Sequence, residues 1–256
     1  MKVYSHSPKD WKDLQNNVAK LLSEIGYDTE VEKNIQTIRE TINIDVYAID
    51  IKKIPQSTIL CECKHWNNPV PKTIVHAFRT TVSDYGANHG IIISKAGFQS
   101  GTYEAVKNTN IMLFDWEHFQ EYFKIRWVQN RQLTISKITK PLYNYVSVVI
   151  QTFFKEQYNR LSENQIQIFK NLSQKYFSIA FNSSNLDYKN LESNEFDIQY
   201  FEIYLKEIEI QYGQTFNAYE EYFNFLLKKA KEGIDEFDSL FEEKLRLSNT
   251  YEKVKY

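Results

Sequence analysis

Three residues in the N-terminal half invite chemistry. Asp45 lies inside the apolar run INIDVYAI (42–49), and Glu62 and Lys64 stand two apart in TILCECK (58–64). In a strand, residues i and i+2 point to the same side, so Glu62 and Lys64 share one face and Cys61 and Cys63 the other. A carboxylate set within an apolar strand needs a partner or a cation. If the two runs pair in the right register, two carboxylates and one ammonium converge on one spot. Paired anions repel, and a hard divalent cation such as Mg²⁺ relieves the repulsion while keeping several waters. The cation and the lysine together can orient and deprotonate a water and neutralise a phosphate, which is the chemistry of phosphodiester hydrolysis. The same three residues would equally suit a buried Asp–Lys–Glu ion network with no catalytic role.

These residues need elements to hold them. Ser7-Pro8-Lys9-Asp10 reads as a helix start, with Ser7 as the cap and Pro8 at the first helical position. Trp11, Leu14, Val18, Leu21, Leu22 and Ile25 then recur at helical spacing up to Gly26. A short extended segment at 27–31 and the strands 42–49 and 58–64 follow. Asn67-Asn68-Pro69 breaks the chain, residues 70–87 suit a helix, GIIIS (90–94) a buried strand, 102–109 a helix and IMLFDW (111–116) a last strand. The order predicts a central sheet covered by helices. Cys61 and Cys63 alternate on the dry face of one strand and read as core thiols, since no further Cys or His pair stands at zinc spacing.

Composition shifts along the chain. Five of the seven glycines lie at or before Gly101 and no proline follows Pro141. From Pro141 onward the pattern is helical, with aromatic and aliphatic residues at three- and four-residue steps, which predicts four or five packed helices and a loop at 182–190. Formal charge is −2 overall, so no global field favours nucleic acid. Locally, residues 131–180 carry seven Lys/Arg against two Glu, whereas 182–240 are acidic. Arg131, Lys137 and Lys140 are thus candidates for a DNA contact, and the acidic helices suit protein contact better. No apolar run approaches the length of a membrane helix and the N-terminus lacks a signal core, so the expectation is a cytoplasmic protein with no membrane association.

VAKLLSEIGY (18–27), INIDVYA (42–48), CECKHW (61–66), VHAFRTTVSDYGANHG (75–90) and IIISKAGFQSGTYEAV (91–106) followed by IMLFDW occur in an order that resembles the Mrr-like, restriction-endonuclease-like family of the PD-(D/E)xK nuclease superfamily. The resemblance covers about residues 10–116. It implies an α/β restriction-endonuclease-like domain, a central mixed sheet flanked by helices, followed here by an all-α helical-bundle domain. The expected division is a nuclease domain at 1–125, a linker at 126–140 and a helical interaction domain at 141–256.

The resemblance also implies a D…ExK site that uses Mg²⁺, for which Mn²⁺ can substitute. Asp45, Glu62 and the backbone carbonyl of Cys63 would be metal ligands, and Lys64 would position or activate the attacking water. Relatives often carry a glutamate on the first helix where this chain has Gln15. An amide oxygen can hold a metal-bound water but supplies no charge, which bears on whether a second metal or full activity is retained. His76 stands where relatives commonly have a glutamine facing the site, and is either a catalytic contact or a surface histidine. Ser94, Lys95 and Gln99 follow a strand end, where Lys95 and Gln99 are candidate DNA contacts; a solvated lysine is the alternative for Lys95. Trp66 could stack on a base or pack against the next helix.

The expected function is a metal-dependent DNA endonuclease of restriction or anti-phage defence type, with self-association or a protein partner engaged through the C-terminal helices. The alternatives are a non-catalytic or partner-activated subunit with the same fold, or a Holliday-junction resolvase.

Overall fold

The structure, a computed structural model, describes residues 1–147, 155–184 and 198–242. Its contacts divide the chain into two units, Lys2–Asn130 and, together with Met1, the residues from Arg131 onward.

In the first unit, α1 (Trp11–Glu24) leads into β1 (Asp28–Gln36), β2 (Thr41–Asp50) and β3 (Ser57–Lys64). Then come α2 (Lys72–Tyr85), β4 (His89–Ser94), α3 (Thr102–Val106) and β5 (Ile111–Phe114). The strands form one five-stranded sheet in the order β1-β2-β3-β4-β5. The pairings β1–β2 and β2–β3 are antiparallel, while β3–β4 and β4–β5 are parallel. Parallel neighbours need a crossover, and α2 and α3 supply it. α1 packs on β1, β2 and β3, and α2 packs on β4 and α3.

The core between α2 and the sheet contains Leu60, Val75, Phe78, Val82, Ile92 and Ile111, all buried. Gly90 sits where these groups meet: a Cβ there would lie 2.6 Å from both Ile111 Cδ1 and Val82 Cγ2. The helix can approach β4 this closely because position 90 has no side chain.

Helix α1 starts later than the Ser7-Pro8 pair suggests. Asp10 is the cap, its carboxylate accepting from the Asp13 N–H at 2.8 Å, while the Lys9 N–H donates to Asp13 Oδ2 at 2.9 Å. Two reciprocal carboxylate caps hold this end, so Ser7 has no orphan donor to satisfy. Trp11, expected on the apolar face, is half exposed. The extended segment expected at 27–31 is a full nine-residue strand. Its apolar signal is faint because β1 is an edge strand, and edges tolerate the charged residues that discourage further pairing.

The expected linker at 126–140 is helical: α4 runs from Trp116 to Val146 with Pro141 inside it. Trp127, Val128, Ile135, Leu142 and Tyr145 are all buried at helical spacing, and no glycine lies between 102 and 140 to break the run. The composition shift therefore marks the boundary of a contact unit and not a gap between helices. Beyond it come α5 (Lys155–Asn159), α6 (Glu163–Ser184), α7 (Ile198–Tyr212) and α8 (Tyr219–Phe241), with α6 packed on α7 and α8. Aromatic rings fill this unit: Tyr145 stacks on Phe237 at 5.0 Å and Phe201 on Phe223 at 5.7 Å. Of the loop expected at 182–190, residues 182–184 are the last turn of α6 and the rest lie outside the described residues. Among the described residues, no helix is long and apolar enough to cross a membrane.

Candidate active site

Regular pairing is interrupted at Asp45 on both sides of β2, ending toward β3 and skipping one pair toward β1. Toward β3, the ladder runs from Asp50↔Ser57 to Val46↔Cys61 and ends there, one residue short of Asp45 and Glu62. Toward β1, Val31↔Val46 and Lys33↔Ile44 pair, but Glu32, which would face Asp45, is skipped and has φ of +54°. A non-glycine residue in the left-handed region costs about 1 kcal/mol or more and tends to persist where surroundings over-determine it. β2 and β3 thus part at Asp45, while β1 and β2 skip one pair and keep their register, and the Asp45 carboxylate is left to make bonds that backbone would otherwise make.

Those bonds are specific. Asp45 Oδ2 accepts from the Cys63 N–H at 2.7 Å, and Oδ1 accepts from Gln15 Nε2 at 2.9 Å. One strand donor and one helix donor fix the carboxylate in place. Gln15 is buried on α1, and its other amide atom, Oε1, is buried with no hydrogen-bond partner.

Across the fork, Glu62 and Lys64 project from β3 on the same face and form an ion pair, each about a fifth exposed. Burial pushes the Glu62 carboxyl above its ordinary value, the nearby Asp45 charge pushes it further, and Lys64 partly offsets both. Lys64 Nζ also lies 5.3 Å from the centre of the Trp66 ring, within the range of a cation–π contact. Trp66 itself is 43% exposed, so it is not packed away against α2.

On the opposite face of β3, Cys61 and Cys63 are buried and unbridged. Burial raises both thiols, with further contributions from neighbouring negative charge, so neither is a thiolate at neutral pH. They are core residues.

The remaining expected site residues are more dispersed. Lys95 is exposed and donates from Nζ to Asn67 Oδ1 at 3.1 Å. Gln99 is exposed and its N–H bonds the Val70 carbonyl at 3.0 Å. Ser94 is buried and pins the loop after β4 by donating to the Gly97 carbonyl at 2.8 Å. Gly97 turns this loop with φ of +74°, and Phe98 bridges to Val70. His76 is half-buried on α2, and among the described residues no side-chain hydrogen bond or ion pair joins it to Asp45, Glu62 or Lys64. The structure therefore brings together Asp45, Glu62, Lys64, Gln15 and the Cys63 backbone, with Trp66 beside them. Sequence reasoning missed Glu32 and Asn67. A left-handed glutamate carries no sequence signal, whereas Asn67, next to Trp66 in a chain break, could have been read as a polar partner for the following loop.

The donor set fits a hard cation. Two carboxylates and an unpartnered amide oxygen are all oxygen ligands, of the kind Mg²⁺ accepts while retaining waters. Among the described residues no group of three or more His, Cys, Asp or Glu side chains is placed to hold a metal ion, so a cation here would rest on Asp45, Glu62 and oxygen donors of other kinds.

Residues 8–123 match the family model Mrr_cat, a restriction endonuclease. No curated protein matches the chain. Among solved structures, a crystal structure of a protein of unknown function, AF1548, is 22% identical over 42% of this chain, with a TM-score of 0.37. The match covers 59% of that protein, less than two thirds of its length.

Proposed function

We propose, from the match of residues 8–123 to the Mrr_cat restriction-endonuclease model, that the chain is a Mg²⁺-dependent DNA endonuclease with its site at the fork between β2 and β3. The observation that carries this reading is the Asp45 carboxylate, held by Gln15 and the Cys63 N–H directly across from the Glu62–Lys64 pair. Asp45 and Glu62 would hold the cation. In an extended strand a residue's N–H and C=O face the same neighbour, so the Cys63 carbonyl faces the fork as well. When bound, Mg²⁺ supplies charge neutralisation at the phosphate and eases deprotonation of water.

The chain's own groups do the rest. Glu62 holds Lys64 at the mouth of the fork, where its ammonium can donate to an incoming phosphate oxygen and orient a water for in-line attack. Trp66, half exposed beside Lys64, limits where that ammonium can swing and offers a ring face to a base. Lys95, bonded to Asn67 on the neighbouring loop, would contact backbone phosphate, and exposed Gln99 lies on the same loop as Lys95. His76 would join only on substrate binding. A role in restriction or anti-phage defence would suit such an enzyme, with the acidic C-terminal helices mediating self-association or docking of another subunit.

The test is nicking and linearisation of supercoiled plasmid with Mg²⁺ or Mn²⁺. Wild type should cleave, whereas EDTA, Asp45→Ala and Lys64→Ala should each abolish cleavage. Equal cleavage by wild type and both variants would refute this site.

A further inference from the structure

Gln15 occupies an unusual position for an amide. It is 4% exposed, yet only half of its amide is used: Nε2 donates to Asp45 Oδ1 at 2.9 Å, and Oε1 is buried without a partner. Buried polar atoms are nearly always satisfied, so an orphan beside a carboxylate calls for a ligand. Turning the amide over does not remove the difficulty. The flipped oxygen would then face Asp45 Oδ1 at the same short distance, two acceptors in contact, so the hydrogen-bond pattern fixes which atom is the oxygen.

Charge points the same way. Asp45 and Glu62 bring two negative charges and Lys64 one positive, leaving a net −1. One divalent cation takes this to +1, which matches a single phosphodiester, whereas two cations would leave +3 in a partly buried fork. Gln15, the side chain that α1 brings to Asp45, is an amide and adds no further negative charge to hold a second cation.

Resting on the endonuclease reading above, we infer that Gln15 is the uncharged oxygen donor of a single-cation site: Nε2 positions Asp45, and Oε1 supports one divalent ion, directly or through one of its waters. The residue therefore sets how many cations the site holds as well as how Asp45 is aimed.

The experiment is Mn²⁺ titration of the full chain, followed by electron paramagnetic resonance of free Mn²⁺ and by thermal unfolding. Wild type should bind one Mn²⁺ per chain. Gln15→Met, similar in volume and without polar atoms, should keep the count at one and weaken affinity by about 10-fold or more, as loss of a supporting partner does. Gln15→Glu should bind at least 10-fold more tightly or take up a second ion, and Mn²⁺ should raise its unfolding temperature by more than that of wild type. Thermal unfolding without metal shows that each variant is folded, and Gln15→Glu tests the idea even if Gln15→Met is not. Two ions on wild type, or unchanged affinity and count in Gln15→Glu, would overturn the inference. Asp45→Ala separates the two readings. If it abolishes Mn²⁺ binding while the Gln15 variants match wild type, only the role of Gln15 fails; if wild type binds no Mn²⁺, the metal-dependent reading fails with it.

Discussion

Replacing Asp45 by asparagine and by alanine should separate its structural work from its chemical work. Both variants remove the negative charge and should be inactive in plasmid cleavage. Their stabilities should differ. Alanine leaves the Cys63 N–H and the Gln15 amide N–H without the acceptors they have at 2.7 and 2.9 Å. Each unsatisfied buried donor costs about 1–3 kcal/mol, and loss of the Asp45–Glu62 repulsion offsets part of the sum. The expected loss is about 2 kcal/mol, a sizeable part of a total stability of about 5–15 kcal/mol. Asparagine keeps an oxygen for the Cys63 N–H, and its Nδ2 can donate to Gln15 Oε1 once that amide turns over. This variant also removes the repulsion between Asp45 and Glu62 that raises the Glu62 carboxyl. Asp45→Asn should therefore be at least as stable as wild type without metal.

Urea unfolding followed by tryptophan fluorescence is the assay. All four tryptophans, Trp11, Trp66, Trp116 and Trp127, lie in the unit Lys2–Asn130, so the signal reports that unit. With a slope of about 2 kcal/mol per molar, Asp45→Ala should lower the midpoint by about 1 M urea and Asp45→Asn should not lower it at all. An equal drop in both variants would show that the charge of Asp45, and not its two acceptor bonds, supports the fork, and the account of the site would be wrong.

Glu62 should make metal-free stability pH-dependent. Its carboxyl is raised above 4.5 in the folded protein by burial and by Asp45, so the stability it contributes is fully present below about pH 4.5 and lost as pH rises through the raised value. In EDTA, Glu62→Gln should flatten this decline and exceed wild type at neutral pH, measured by unfolding temperature; a parallel decline in both proteins would contradict the assignment. Lys64→Met removes a positive charge beside the carboxylates, so Mn²⁺ affinity by titration should hold or rise while cleavage falls by about 10²–10⁴, the range for a positioned proton-transfer group. A matching loss of Mn²⁺ binding would instead make Lys64 a structural partner of Glu62. Gly90→Ala should cost about 1–3 kcal/mol in the same urea assay, because the new Cβ would meet Ile111 and Val82 at 2.6 Å; a neutral result would mean that α2 does not cross β4 at that point.

What was legible in the sequence follows from how local each signal is. The strands around Asp45 and Glu62 could be read because a buried strand needs an apolar run and the charges within it stand out by contrast. Charge on β1 hides the length of an edge strand of which only 27–31 reads as extended, since edge residues are selected against pairing as much as for it. Asp10 takes the place of Ser7 as the cap of α1 because Asp13 binds back to the Lys9 N–H, a pairing of two carboxylates that the Ser7-Pro8 signal masks. The helix through 126–140 was missed because a drop in glycine and proline accompanies a long helix as readily as it flanks a linker. The site divides along the same line. Asp45, Glu62 and Lys64 announce themselves by type and spacing, but the feature that makes them a site is the loss of pairing at Asp45 on both edges of β2. That loss depends on Glu32 adopting a left-handed backbone and on Gln15 arriving from a helix thirty residues away in sequence, so it exists only once the chain has folded. A regular ladder through Asp45 would have turned its carboxylate into an ordinary strand side chain; the break is what gives the carboxylate a backbone donor, a helix donor and a position facing the Glu62–Lys64 pair.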